Sequence, residues 1–308
     1  MAGSSKIAFI YTGQGSQFSG MAKKISYLPL WERYSNRANE ILGIDLEKIM
    51  NGDEKVLTET QNAQPALYLF EYVITKELEN RGFYPDVVAG HSLGEYSAVA
   101  TSGVFSFGEG LYLVRKRGLA MTNTKIKKGA MAAIKNVTKK SLEEKIKDYD
   151  GVYISNDNAK KQKVVSGKEE SILELIKKYT TEGKFAVKLK VSTAFHTLYM
   201  RPAQDELAYL LKNMTFKEPK YPIVMNFTGK FTKDLRKIKH NLIKQTTNRV
   251  LWLQSVKHMK KMGITDFIEI GPKKHLTKML IKDGYNKKGC NIHFWEDIIK
   301  EKKIDYVN

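Results

Sequence analysis

One cysteine in 308 residues, Cys290, leaves no partner for an intrachain disulfide and too few thiolates for a Cys-based metal cluster. Metal-ligand spacing is missing as well: the six histidines are scattered and none forms an HExxH-type pair, so no metal site is expected. No apolar run approaches the ~18–20 residues that a membrane span needs. The opening "MAGSSKIAFIY" has no charged segment leading into a long apolar one, so it does not read as a secretory signal. These absences point to a cytoplasmic chain without a membrane anchor. Acidic residues are also in short supply, with 33 Asp and Glu against 52 Lys and Arg, a formal charge of +19. Such a charge attracts polyanions, whether nucleic acid, a phosphate-bearing cofactor or an acidic protein. The lysines are spread along the whole chain, as a compositional bias would spread them. No zinc-finger, RNP or KH-type motif is present, so a nucleic-acid partner is not expected.

What remains is an ordinary globular composition, 42% hydrophobic and 28% charged, long enough for one large domain or two unequal ones. "KIAFIY" (6–11) reads as a short buried strand and runs into a glycine loop, "TGQGSQ". Helical patterns follow at 30–42 and 64–80, and "DVVAG" after Pro85 reads as a second buried strand. Strands alternating with helices argue for a parallel sheet covered on both faces. Near residue 129 the rhythm changes to strand, helix, strand, strand, helix, strand, the ferredoxin-like βαββαβ order. In its last strand Val187, Leu189 and Val191 alternate with lysines, which predicts one buried face. The expected organisation is a large α/β subdomain, 1–127 and 194–308, with a small ferredoxin-like subdomain, 128–193, inserted into it.

Within "VAGHSLGEYSAVATSG" (88–103), "GHSLG" has the G-x-S-x-G form of a nucleophile elbow. Three positions alone are a weak signal, and a small polar residue demanded by a turn is the alternative. Context favours the nucleophile: an apolar strand leads in, a helix of small residues leads out, and glycines at 90 and 94 permit the sharp turn. The turn would also set Ser92 at a helix N-terminus, where free N–H groups stabilise developing negative charge. One oxyanion donor should be the N–H of Leu93, directly after the serine; a second could come from the glycine loop.

A serine nucleophile needs a base. His91 adjoins it but points the wrong way along the chain, and His240, His258, His275 and His293 lie in lysine-rich or helical stretches. His196, in "STAFHTLYM", follows directly where the small subdomain returns to the large one, a position suited to a cleft. In "GEGLYLVRKRGLAM", Leu111, Val114, Gly118 and Met121 mark a core face, and Arg117 falls roughly 60° from its centre at ~100° per residue. An inward arginine must be paired, either by a carboxylate of the protein or by that of a substrate.

With these residues in place, the chain resembles malonyl-CoA:acyl carrier protein transacylases and the acyltransferase domains of polyketide synthases. The resemblance spans nearly the whole length: "GQGSQ" (13–17), "QPAL" (64–67), "GHSLGEYSA" (90–98), "RGLAM" (117–121), "AFH" (194–196), "NRVLW" (248–252) and "IGPKKHL" (270–276) occur in the family's order. It implies an α/β-hydrolase-like large subdomain beside the ferredoxin-like one. It makes Ser92 the acylated nucleophile and His196 its general base, oriented by the backbone carbonyl of Asn248 because the family has no acidic third member. It assigns the oxyanion hole to the N–H groups of Gln14 and Leu93, and the acyl carboxylate to Arg117. Gln64, Met121 and Asn158 would line the pocket. Malonyl would pass from coenzyme A to Ser92 and on to the phosphopantetheine thiol of a carrier protein, with no bound cofactor and the enzyme a monomer.

Family members that choose malonyl in polyketide systems carry "AFH" at the base, methylmalonyl-selecting ones "ASH", and housekeeping transacylases "PSH". Phe195 would crowd a 2-methyl group, which suggests a stand-alone polyketide acyltransferase serving synthase carrier domains in trans. Thr12 departs from the family, which has proline there. The competing expectations are a fatty-acid transacylase, a proofreading acyl hydrolase that would gain nothing from Arg117, and a basic binding protein that would have no use for an intact Ser92, His196 and Arg117.

Overall fold

The strand Ile7–Tyr11 has four of its five residues buried, and its side chains serve two cores. Phe9 and Tyr11 pack with one set of helices, Ala8 and Ile10 with the other. A strand covered on both faces has no polar side, which is why it reads as an unbroken apolar run. The computed structural model describes residues 5–122, 128–191 and 193–301. Its strands are β1 (Ile7–Tyr11), β2 (Val87–Gly90), β3 (Gly129–Lys135), β4 (Tyr153–Ala159), β5 (Gln162–Lys168), β6 (Ala186–Lys188), β7 (Ile223–Val224), β8 (Phe231–Thr232), β9 (Asp266–Ile270) and β10 (Asn291–Phe294).

The larger sheet has the order β10-β9-β1-β2-β7-β8. Its pairings are parallel except that β8 turns back against β7. β1 and β2 lie side by side with Tyr11 opposite Gly90, so the glycine loop and the Ser92 turn leave the same end of the sheet. Ligand sites of open parallel sheets form at that carboxyl end. The helices Thr60–Asn80 and Phe107–Thr122 pack together over one face of this sheet.

The smaller sheet, β4-β5-β3-β6, is antiparallel, and the helices Lys139–Lys145 and Glu169–Thr181 complete the βαββαβ succession. The fold is thus an α/β-hydrolase-like body with a ferredoxin-like addition. The first junction expected from the sequence, after residue 127, lies outside the described residues. The expected face of the last strand needs correction. Val187 is exposed while Leu189 and Val191 are only half-buried, because β6 is a three-residue edge strand paired to β3 alone.

Bonds from β4 tie the smaller sheet to Val250 and to the helix Trp252–Lys261 of the larger body. Val250 donates its N–H to Ser155 at 2.9 Å, and Asp157 donates its own to Val250 at 2.9 Å. The Asp157 carboxylate also accepts from Gln254 Nε2 at 2.7 Å and pairs with buried Lys163 at 2.8 Å.

Candidate active site

Ser92 sits between β2 and the helix Gly94–Thr101 with φ +54°, the left-handed turn that throws its side chain clear of the strand. A Cβ on Gly90 would overlap the backbone of Gly94, and one on Gly94 would meet the carbonyls of Tyr11 and Thr12. Asn226 braces the turn from β7's side: its Oδ1 accepts the Ser92 N–H at 2.7 Å and its Nδ2 donates to Gly90 O at 2.6 Å.

His196 Nε2 lies 2.7 Å from Ser92 Oγ, and Nδ1 lies 2.8 Å from the backbone oxygen of Gln245. A carbonyl can only accept, so Nδ1 carries the proton and the Nε2 lone pair faces the serine hydroxyl. Burial, then the neighbouring Arg117 charge, pulls the imidazole down to about 3, so it stays neutral at working pH with its Nε2 lone pair free. The orienting carbonyl is therefore that of Gln245, not Asn248. Gln245 ends the helix Leu235–Gln245, where carbonyls have no partner in the next turn. Asn248 lies beyond that end, its amide donating to Lys244 O and Thr247 Oγ1.

Arg117 is 1% exposed. Its Nη1 donates to Gln64 Oε1 at 2.8 Å and its Nη2 to Gln245 Oε1 at 2.9 Å, while Nη2 also lies 3.3 Å from Ser92 Oγ. The guanidinium rests 5.1 Å from the Tyr96 ring centroid, and its Nε–H has no partner among the described residues. Among the described residues no carboxylate forms an ion pair with it. Of the two alternatives left open by the sequence, a direct protein partner is thereby removed. Gln64 is held in turn by the Met121 sulfur, 3.6 Å from its Nε2. Phe195 packs with Met121, Met131, Val164 and Met200, an apolar wall between the serine's helices and the smaller sheet.

The N–H groups of Gln14 and Leu93 enter no hydrogen bond among the described residues, so both are available to an oxyanion. The Gln14 side chain donates to Thr60 at 3.2 Å. Thr12, in place of the family's proline, donates its hydroxyl to Glu71 at 2.7 Å, and Ser97 donates to the other oxygen at 2.6 Å. Burial pushes Glu71 up to about 8, and the loop is thus tied to the helix behind it. Asn158 is not brought to Arg117: its Oδ1 faces His91 Nε2 at 2.8 Å, and His91 meets Trp252 edge-on. An open cleft of about 710 Å³ runs from Gln14 past Thr58, Gln61 and Thr122 to Lys190 and Val191.

Three site residues were not found in the sequence: Gln245, Asn226 and Glu95. Gln245 lies in "LRKIKHNLIKQ", whose lysines advertise only a solvated helix, and a backbone acceptor has no residue signature. Glu95, within "GHSLGE", looks like a helix-start acid facing water, yet it is fully buried.

Comparison with known proteins gives concordant matches. The model of the acyl transferase domain family matches residues 8–296. The chain is 36% identical over 272 residues to a malonyl CoA-acyl carrier protein transacylase of Synechocystis, covering 88% of this chain and 92% of that one. It is 34% identical over 281 residues to the polyketide biosynthesis malonyl CoA-acyl carrier protein transacylase PksC of Bacillus subtilis, covering 89% and 96%. Among solved structures, the malonyl CoA-acyl carrier protein transacylase of Coxiella burnetii superposes with a TM-score of 0.91 at 31% identity, covering 97% of each chain.

Proposed function

The chain belongs to the acyl transferase domain family, and from that premise we propose that it moves malonyl from malonyl-CoA to the phosphopantetheine thiol of an acyl carrier protein in two half-reactions at Ser92. Ser92 Oγ attacks the thioester carbonyl while its proton passes to His196 Nε2, 2.7 Å away. The N–H groups of Leu93 and Gln14 hold the tetrahedral oxyanion. Collapse expels the coenzyme A thiolate, which takes the proton from the imidazolium. The carrier thiol then attacks the malonyl ester by the same path in reverse. The cleft ending at Gln14 suits the long pantetheine arm, and the +19 charge suits an acidic carrier.

The observation that carries the malonyl assignment is Arg117: a buried guanidinium 3.3 Å from the nucleophile that touches no carboxylate among the described residues. An acyl group ending in a carboxylate meets its unmet donors; a plain acyl chain leaves them bare. Intact-mass measurement after mixing with malonyl-CoA should show a stable malonyl-Ser92 adduct, transferred when holo carrier protein is added. Absence of the adduct together with rapid hydrolysis of acetyl- or butyryl-carrier thioesters would replace the transferase with a proofreading hydrolase.

Phe195 and the relative named PksC favour service in trans to polyketide synthase carriers over a fatty-acid carrier. Phe195→Ser should raise the methylmalonyl-to-malonyl ratio in a competition assay by about tenfold, the ordinary value of one methyl in a pocket. An unmoved ratio would leave the polyketide assignment without its main support. The proposal takes residues 1–127 with 194–308 as the catalytic body, 128–193 as the small subdomain, and the enzyme as a cytoplasmic monomer.

A further inference from the structure

Arg117 lacks a touching carboxylate, but a chain of obligate donors leads from it to one. A guanidinium only donates, so the Gln245 atom 2.9 Å from Nη2 must be Oε1. The other end of that carboxamide is then Nε2, which donates to Ser92 O at 2.8 Å and to Glu95 Oε2. The second Glu95 oxygen, Oε1, accepts the backbone N–H of Asn226. Both carboxyl oxygens therefore face donors that cannot reverse, and neither has an acceptor for a proton of its own. Glu95 is fully buried, one turn after the nucleophile, and among the described residues its carboxyl group has no other hydrogen-bond partner.

We propose that Glu95 is the counter-charge of Arg117, joined to it through the Gln245 carboxamide, and that it acts as the positioning residue of the acyl clamp. Gln245 is the joint of this relay. Its side chain links Glu95 to Arg117 and its backbone oxygen holds His196, so one residue sets the distance between clamp and base. With Glu95 ionised the empty site is near neutrality, Arg117 is held beside Ser92, and its remaining donors are left for the incoming carboxylate. With Glu95 protonated, its hydrogen would oppose either Gln245 Nε2 or the Asn226 N–H, and the carboxamide would be released. The ionisable groups that bear on Glu95 are Arg117 across the site and Tyr96 beside it on its own helix. His196 is held neutral. Burial raises Glu95 to about 8, against the pull of Asn226, Gln245 and Arg117, so its loss of charge falls within an accessible range. The sign follows directly. The ionised form is the competent one, so the rate of malonyl loading should fall as pH drops below that value.

The inference rests on the malonyl reading above, and its test separates the two. The measurement is the first half-reaction alone, the rate of Ser92 acylation by malonyl-CoA from pH 6 to 9, read by quenched intact mass with acetyl-CoA as the uncharged control. Glu95→Gln keeps the shape but sets an amide where only an acceptor fits. It should lower malonyl loading at pH 8 by 10- to 100-fold, lower acetyl loading several-fold less, and abolish the acid limb seen in the wild type. Gln245→Leu cuts the relay while keeping the carbonyl that holds His196, and should reproduce the same malonyl-specific loss. The double variant should lose no more than the worse single one. If Glu95→Gln retains the wild-type limb, or loses malonyl and acetyl loading equally, the positioning role is overturned. Should Glu95→Gln not fold, a Gln245→Leu enzyme with unchanged malonyl preference overturns it equally. A wild type that forms no malonyl adduct refutes the transferase reading instead.

Discussion

Ser92→Ala should lower malonyl transfer by about 10⁴-fold or more, because the one atom both His196 and Arg117 approach is the atom removed. Among the described residues no other side chain offers an oxygen to that imidazole. His91, the neighbour in sequence, is turned to Asn158 and Trp252. The measured quantities are the rate of carrier malonylation and the mass of the enzyme after malonyl-CoA, which should stay that of the free protein. His196→Ala in the Ser92→Ala background should cost nothing more, since the two act as one unit. A Ser92→Ala protein that still became malonylated would remove the serine from the mechanism.

Arg117→Ala should reverse the acyl preference. The guanidinium has Gln64 Oε1 and Gln245 Oε1 as its nearest partners, both neutral, and reaches Glu95 only through the Gln245 carboxamide, so the unmet donors of its positive charge face the proposed acyl pocket. Malonyl binding satisfies that charge; removing it leaves the malonyl carboxylate buried against two amide oxygens that can only repel it. Truncating one partner of a buried, hydrogen-bonded charge pair costs about 2–5 kcal/mol, which converts to roughly 30- to 4,000-fold. Malonyl-CoA kcat/KM should fall by that factor, whereas acetyl-CoA, having no carboxylate, should be loaded as well as before or better. The ratio of the two adducts by mass checks this, and an unchanged ratio refutes the clamp. Arg117→Lys should recover little, because an ammonium cannot serve both glutamines and a carboxylate from one point.

How much of this was visible in the sequence depends on the kind of contact. The elbow was legible because glycines at 90 and 94 answer to local sterics, and the inward turn of Arg117 because helical periodicity sets it. The succession of strands and helices in the smaller sheet was legible from alternation and spacing. Less of the far side of the site could be read. Gln245 acts partly through a backbone oxygen at a helix end, and Asn248, three residues on, carries the recognisable side chain. The burial of Glu95 depends on Asn226 and Gln245, which are more than 130 positions away. Glu269 is a parallel case: its carboxylate accepts the first N–H groups of the helix His275–Lys282 from an adjacent strand, and nothing local announces it.

Only three non-glycine residues among those described have positive φ: Asn136, Ser92 and His196. Asparagine tolerates that conformation at a strand end, as Asn136 does. For the other two it costs on the order of 1–3 kcal/mol each, a debt the rest of the fold must carry. Both belong to the proposed reacting pair, so the strained backbone falls where the chemistry is assigned. A glycine at either position would relax the backbone and remove a reacting group in the same step. Variants chosen for thermal resistance alone should therefore drift toward glycine at these two angles and lose activity as they gain stability.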